Sequence, residues 1–584
     1  MSSLPKGGSS LFGQTNPQDI FTPEDFTLEH KMIYRTTAGF ITDSVLTRMD
    51  ELENKKEGLI NELLEAASEL GLNGADISEE YGGMEMDKIS TTIIAECIGR
   101  AGSFAQTQGG QAGIGSMPIV MFGTHEQKKK YLPGLATAEK VGAYALTEPG
   151  AGSDALSAKT RADLSPDGKY YILNGTKQFI TNAGMADVFI VYAKIDGDKF
   201  TAFIVDGDSE GLSTGAEEHK MGIKGSSTRS VIFEDVKVPV ENLLFEIGRG
   251  HVVAFNILNL GRFKLAATSV GMAKFALELA ATYANDRKQF GTPIANFGLV
   301  KEKLAEIAIK IYVTESMVYR TGGLLENMMN SLDTSGNDGG LVAAKGIEEY
   351  ALECSMNKVF GTETLGYAVD EGVQIHGGYG FSSEYTIERL YRDARIYRIF
   401  EGTNEINRVL IPTTLLRRAA KGDLPLQEAI EKLKGEIAAG SLVRKGEAGL
   451  VQAAKDIFLL TMGAGLQKYG KDLQKHQEIL GRLADLAIRA FAIESAWLRA
   501  QKAAANDGGT KAKLKQNMAM AYINSTVGLL EYSAKETLTA LAEGEELASL
   551  LDNLQRLTKY TTRNTVALRQ EIAAAISEDG KYAV

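Results

Sequence analysis

Apolar side chains recur at helical spacing along most of the chain and at strand spacing along one stretch, which divides it into four zones. Over residues 26–142 the period is helical. Leu59, Leu63, Ala66 and Leu70 stand at i, i+4, i+7 and i+11 and lay one apolar face along a helix. Breaks fall at residues 71–74, at Tyr81-Gly82-Gly83, at Gly123 and at Pro133-Gly134. Over residues 143–250 the period becomes two. The runs 169–173 and 176–180 are joined by Asn174-Gly175, which predicts a hairpin with a type I′ turn. Residues 188–193, 200–205 and 231–238 are further short β-branched or aromatic runs. Together they predict a compact all-β insert, a small barrel or sandwich of about 100 residues.

The helical period returns over residues 251–421. Val300, Leu304, Ile307 and Ile311 form one stripe, and long helices with short breaks predict an antiparallel four-helix bundle. Residues 334–340, TSGNDGG, read as a loop. Past Gly422-Asp423-Leu424-Pro425, residues 422–584 form a helical tail rich in Ala, Leu, Lys and Glu, with a turn at 506–509. Residues 1–25, with Pro, Gly and Ser, read as a flexible N-terminal arm. The fold class expected is mainly α with a β insert: an N-terminal helical domain, a small β-barrel domain, a four-helix-bundle domain and an extra helical tail domain.

Composition narrows the function. The 584 residues are 44% hydrophobic and 24% charged, an ordinary globular balance, and suggest three or four domains. The net charge of −12 argues against a general nucleic-acid binder, which needs a basic face. No run of 18 apolar residues occurs, so no transmembrane helix is expected. The glycine-flanked apolar stretch 450–466 leaves a peripheral contact at the inner membrane face as the one membrane role to test. Cys97 and Cys354 make neither a CxxC pair nor a disulfide framework and read as buried inert thiols. The start carries neither a signal-peptide core nor an Arg-rich transit face, so cytoplasmic residence is the expectation.

Common catalytic patterns are absent. There is no GxGxxG after a strand, no GxxxxGK[ST], no HExxH and no GxSxG, and the six histidines lack metal-ligand spacing. This argues against a metal enzyme or a Rossmann NAD enzyme. Three segments carry chemistry. In YALTEPGAGSD at 144–154, Pro149, Gly150 and Gly152 force a tight loop that exposes backbone N–H groups, and Thr147 and Ser153 add hydroxyls. Such a loop can hold a ring edge or a phosphate, or be a plain connector. RKQFG at 287–291 suits a phosphate contact, or a solvated helix end capped by Gly. In the third segment Arg389, Arg392, Arg395 and Arg398 form a drifting stripe, followed by Phe400-Glu401-Gly402-Thr403. A carboxylate beside an aromatic and a glycine suits a general base, desolvated and closely approachable; a surface Glu at a helix start is the bland reading.

These segments together resemble the acyl-CoA dehydrogenase family. The motifs stand in the family's order: Tyr81-Gly82-Gly83, TEPGAGSD at 147–154, Phe179-Ile180-Thr181, RKQFG at 287–291, QIHGG at 374–378 and IFEGT at 399–403, over residues 26–416. The tail past residue 425 is similar to that of the very-long-chain branch, as are segments 116–134 and 257–262. The resemblance implies non-covalent FAD. Tyr144, Leu146, Thr147, Gly152 and Ser153 would line the isoalloxazine, with Phe179, Ile180 and Thr181 beside it. Many members have Trp where this chain has Phe179, which keeps an aromatic wall but loses an indole N–H. Arg287, Gln289, Phe290 and Phe297, with Gln374, Ile375, Gly377 and Gly378, would hold the FAD of a neighbouring subunit, and Thr403, Asn404 and Glu405 would close over the flavin's own phosphates.

The implied reaction removes hydrogen from Cα and Cβ of an acyl-CoA, with Glu401 as α-proton base. Asn259, Arg262, Ser153, Phe400 and Gly402 would bind the substrate. Some branches carry the base on another helix just before an Arg; the matching pair here is Gly261-Arg262, with no carboxylate. Expected partners are a long- or very-long-chain acyl-CoA, an electron-transferring flavoprotein and a second copy of the chain in a homodimer. The rivals are a dehydrogenase of shorter or branched acyl groups, a non-catalytic flavoprotein scaffold and an oxygen-using acyl-CoA oxidase.

Overall fold

A computed structural model describes residues 4–584 except 335, 337, 338, 443 and 507. The loop expected at 334–340 and the turn expected at 506–509 thus fall partly outside the described residues.

The first zone is helical, with Leu28–Phe40, Leu59–Glu69, Lys88–Ile98, Gly102–Gly109, Met117–Phe122 and His125–Thr137. The buried face of Leu59–Glu69 is Leu59, Leu63, Leu64 and Ala67, not the stripe through Ala66 and Leu70. Leu70 is the cap residue and is exposed, because the chain turns left-handed at Gly71 and carries it off the helix face. Between Gly102–Gly109 and Met117–Phe122 the helix widens at Gly110–Gly115 to a π-type turn, a distortion frequent at functional sites.

The β insert comprises β1 (Gly142–Ala145), β2 (Arg161–Leu164), β3 (Tyr170–Thr181), β4 (Val188–Ile195), β5 (Lys199–Asp206), β6 (Leu212–Thr214), β7 (Thr228–Pro239) and β8 (Leu243–Leu244). The ladder runs β6-β7-β3-β2-β4-β5-β8, with β1 added parallel to β4. β6 and β8 end the path unjoined, so among the described residues the sheet is open and the expected barrel is not closed. The expected Asn-Gly hairpin is also absent: β3 runs straight through Asn174-Gly175 and pairs along its length with β7. Gly175 is a bulge rather than a turn; a Cβ there would lie 2.6 Å from Thr160 Oγ1. Asn174 takes the other half of the bulge, donating to Asp235 Oδ1 at 2.9 Å and accepting from its N–H at 3.0 Å. The true β2–β3 turn is Ser165–Lys169, with Gly168 left-handed.

Four long helices follow: Gly250–Asp286, Gly298–Ser331, Ala351–His376 and Asn404–Ala420. Leu304, Ile307 and Ile311 are fully buried, as their spacing predicted. The tail adds Leu426–Ala438, Gly446–Tyr469, Gln477–Asn506, Thr510–Leu541, Gly544–Leu557 and Thr565–Asp579. It is bolted to the bundle by polar contacts: Tyr312 Oη donates to Ala496 O at 3.1 Å, Arg320 pairs with Glu494 at 2.9 Å, and Arg569 with Glu306 at 2.9 Å. The stretch 450–466 is core, with Ile457, Phe458 and Met462 buried, so the peripheral membrane contact expected there is overturned. Among the described residues no helix is long and apolar enough to cross a membrane.

The N-terminal segment is not the mobile arm its composition suggested. Gly7 and Gly8 donate to Glu349 and Glu353 at 2.9 and 2.6 Å, and Tyr350 Oη donates to Pro5 O at 2.9 Å. Buried Lys455 and Lys502 bind the carbonyls of Gly13 and Ile20. Glu24 joins Arg499 and Glu315 in an ion network between segment, tail and bundle. Small residues suit this close packing as well as they suit disorder: a Cβ on Gly7 would run into Glu349 O.

Candidate active site

Glu401 stands in the short link between the turn Arg395–Arg398 and the helix Asn404–Ala420. It and Gly402 both adopt left-handed backbone, φ +55 and +77. For a non-glycine residue this conformation costs about 1–3 kcal/mol and persists where surroundings over-determine it. Here they do. Arg262 Nε donates to Glu401 O at 3.2 Å, Lys358 Nζ and Asn407 Nδ2 each donate to Gly402 O at 2.8 Å, and Asn407 also donates to Thr403 O at 3.0 Å. Thr403 caps the next helix, accepting from Ile406 N–H at 3.2 Å.

This backbone aims the Glu401 carboxylate at the helix Gly250–Asp286, onto Gly261. A Cβ on Gly261 would sit 2.5 Å from Oε2 and 2.8 Å from Cδ. The space where the rival branch carries its base is therefore filled by the Glu401 carboxylate itself. Oε2 is buried and has no hydrogen-bond partner. Burial pushes the carboxyl up to about 7, against the opposing pull of Arg262 and then Lys358. Lys358, fully buried, is itself pushed down to about 7 by burial. A carboxyl poised near neutrality is suited to moving a proton.

The carboxylate closes one wall of a cavity of about 110 Å³. Its walls come from Gly250–Asp286, through Ile257, Leu260, Gly261 and Leu265, and from the first zone, through Ile94, Ile98 and the π-type turn. Gly109 and Gly113 face open space, where an added Cβ meets nothing within 4 Å. One part of the wall is charged: Asp76, ion-paired to Lys264 and, at 2.6 Å, to Lys88.

Glu148 fixes the glycine-containing loop. Its carboxylate accepts from Lys177 Nζ at 2.8 Å, from Thr160 N–H and Oγ1, and from Lys159 N–H, while its backbone bridges Ala151. Gly152 and Ser153 are left at the surface. Tyr144 and Leu146 are buried, and burial, then the Tyr192 phenol beside it and Glu401, raise the Tyr144 pKa. Thr147 O accepts from Gln178 N–H at 2.9 Å. At the far end of β3 a second bulge gives Phe179 φ +58 and leaves its ring 62% exposed, with Ile180 buried. Thr181 accepts from Gln106, a cavity residue, at 3.2 Å, which joins this sheet edge to the cavity holding Glu401. An exposed strained aromatic and a loop open at Gly150 and Gly152 leave room for a planar ligand.

A second patch lies at one end of the bundle. The Arg287 guanidinium stacks over Tyr379 at 5.6 Å, and Phe290, 95% exposed with φ +51, meets Phe297 edge-on at 6.1 Å. Gln289, Gln374, Gly377 and Gly378 are exposed here, and Ile375 is buried beneath. Other expected contacts look inward. Asn259 and Arg262 are buried and bonded to one another at 2.9 Å beside the base. Asn404 is 2% exposed, its amide shared among Lys358, Thr362 and Glu363 at the helix start. Glu405 occupies the first helical turn, and Phe400 lines the cavity. Lys358, Asn407 and Gln106 escaped the sequence reading, because each acts across more than 4 residues of chain or through a backbone carbonyl and belongs to no local pattern.

The fold and this site define an acyl-CoA dehydrogenase: family models for the N-terminal, middle and C-terminal domains of acyl-CoA dehydrogenase match residues 27–139, 143–236 and 248–416. A further acyl-CoA dehydrogenase C-terminal-domain model matches 453–556 in the tail. The chain belongs to the acyl-CoA dehydrogenase family. It is 53% identical over 585 residues to a probable acyl-CoA dehydrogenase of Bacillus subtilis (strain 168), covering 99% of this chain and 98% of that one. It is 38% identical over 489 residues to the mitochondrial very long-chain specific acyl-CoA dehydrogenase of Rattus norvegicus, covering 78% and 71%. A crystal structure of an acyl-CoA dehydrogenase complexed with FAD from Bacillus anthracis superposes with a TM-score of 0.97 at 54% identity, covering 99% of this chain and 100% of that one.

Proposed function

We propose that this protein is an FAD-dependent dehydrogenase that converts long- or very-long-chain acyl-CoA to trans-2-enoyl-CoA as a homodimer, with electrons passed to an electron-transferring flavoprotein. One observation carries the reading: the buried, partnerless Oε2 of Glu401, on an acid held near neutrality at the wall of a mostly apolar cavity. FAD, when bound, supplies the hydride acceptor. Tyr144, Leu146, Thr147, Gly152, Ser153, Phe179, Ile180 and Thr181 are the residues that would hold its ring. The Arg287–Phe290 turn, Phe297 and the 374–378 segment would hold a partner subunit's FAD, and the Thr403–Glu405 helix start would close over the phosphates of the subunit's own FAD.

The chain's own residues do the rest. Glu401 takes the α-proton on Oε2. An acyl chain entering the cavity expels water and so disfavours the ionised carboxylate further, which strengthens it as a base. The Glu401 backbone N–H is offered to the thioester oxygen, an interaction of the kind worth about 3 kcal/mol in a transition state. Arg262 and Asn259 hold the base loop from the substrate side.

The long-chain assignment is supported by Gly109 and Gly113, which leave the cavity wall open. The Asp76–Lys264 pair in that wall favours a second reading, an acyl group short enough to stop before the charges. Anaerobic mixing of the holoenzyme with acyl-CoAs of graded chain length separates the two. Flavin bleaching should be fastest with the long chains; a maximum at short chains supports the second reading, and no bleaching by any member refutes both.

A further inference from the structure

Arg262, Lys358 and Asn407 converge on the base loop from three different helices. Lys358 lies on the helix Ala351–His376. Its ammonium donates to Gly402 O and to Asn404 Oδ1, both at 2.8 Å. It therefore touches the residue after the base and the first residue of the next helix. Thr362, one turn along the same helix, shares Asn404.

We propose that Lys358 is a positioning residue for the base: it clamps the left-handed Glu401-Gly402 turn and keeps a buried positive charge behind the carboxylate. The charged groups around it set the sign of its effect. Glu401 faces it from the loop and Arg262 from the helix Gly250–Asp286. Glu405 faces it from the start of the helix Asn404–Ala420, and Glu363 from its own helix. Glu363 is already paired with Arg408 at 2.8 Å. Arg262 is bonded to Asn259 and the Glu401 carbonyl, and Tyr144 is the neutral group beyond the carboxylate. Lys358 is thus one of two cations that oppose the rise of the Glu401 pKa, and burial has brought its own pKa into the same neutral range. Three donors to one turn, from Arg262, Lys358 and Asn407, also explain how a glutamate holds a backbone that glycine would hold more easily.

The inference rests on Glu401 being the base, so the test carries its own control. The second-order rate constant for anaerobic flavin bleaching by a good acyl-CoA is measured against pH for the holoenzyme. The variants are Lys358→Met, Lys358→Gln, Lys358→Arg and Glu401→Gln. Loss of a neighbouring positive charge disfavours the carboxylate. Lys358→Met and Lys358→Gln should therefore move the acid limb to higher pH by about half a unit or more. The limiting rate should fall about tenfold, while acyl-CoA still binds. Lys358→Arg should hold the midpoint at or below the wild-type value, because its charge does not titrate away, and lose rate through the altered turn. If Lys358→Met does not accumulate as flavoprotein, the Gln and Arg pair decides. Profiles of Lys358→Met or Lys358→Gln that overlay the wild type overturn the proposal, and so does failure of all three to fold, since Lys358 is then only a structural pillar. Near wild-type bleaching by Glu401→Gln overturns the base assignment instead.

Discussion

Replacing Glu401 by Gln should make the protein more stable and nearly inactive, and the stability gain should depend on pH. The carboxyl is pushed from its ordinary 4.5 up to about 7 by burial. At 1.36 kcal/mol per unit, keeping it ionised in the fold costs about 3 kcal/mol. The sign follows from proton counting. Between 4.5 and about 7 the folded state binds more of this proton than the unfolded chain, so stability falls as pH rises through that window. The full cost is present above about 7 and vanishes below 4.5. Glutamine carries no charge to desolvate, but its buried amide meets an Oε2 site without a partner, which takes back about 1–2 kcal/mol. A net gain of about 1–2 kcal/mol at pH 8.5, turning to a loss of about 1–2 kcal/mol at pH 4.5 where only the amide penalty remains, is expected. The assay is the apparent Tm of substrate-free holoenzyme, wild type and Glu401→Gln, at equal scan rate across that range, since a chain of this size unfolds irreversibly. A difference in Tm that does not grow with pH, or a variant less stable at pH 8.5, would refute the claim that Glu401 is held against its own desolvation. In the same samples flavin reduction by acyl-CoA should fall by about two to four orders of magnitude with FAD retained.

Gly261→Ala brings a methyl 2.5 Å from Oε2 and should displace the base, lowering flavin reduction at least about tenfold while FAD content, read from the visible spectrum, stays whole. Gly261→Glu with Glu401→Gly should restore part of the activity that Glu401→Gly loses, since both carboxylates occupy one space; no recovery in the bleaching assay counts against that shared position. If the proposed homodimer shares its cofactor through Arg287, whose guanidinium stacks on Tyr379, Arg287→Ala should lower flavin content and, by light scattering, dimer mass together. Arg287→Lys should rescue only part, a point charge lacking the planar fork. Full flavin in a monomeric Arg287→Ala protein would separate the two effects.

Local chemistry was legible in the sequence wherever a segment's function follows from its own residues. Phe400-Glu401-Gly402-Thr403 reads as a close-approach carboxylate because an aromatic and a glycine flank Glu401 in the chain, and Gly402 takes left-handed backbone in the fold. The bundle stripe through Leu304, Ile307 and Ile311 reads correctly because helical period alone decides which face is buried. What the sequence left undecided depends on partners far along the chain. Asn174-Gly175 is as good a turn as a bulge, and β7, more than 50 residues away, selects the bulge by pairing through it. Residues 5–25 have the composition of a loose arm, yet Lys455, Arg499 and Lys502 from the tail bind them. The stretch 450–466 is apolar enough for a surface contact until the bundle buries it. The base itself shows the division most sharply. The sequence determined that Glu401 is there and that a glycine follows it. Its raised pKa comes from burial against Gly261, and its aim from Arg262, Lys358 and Asn407, which lie on other helices or a turn ahead. Desolvation and hydrogen bonding act through space, so only the tertiary structure could raise and aim that carboxylate.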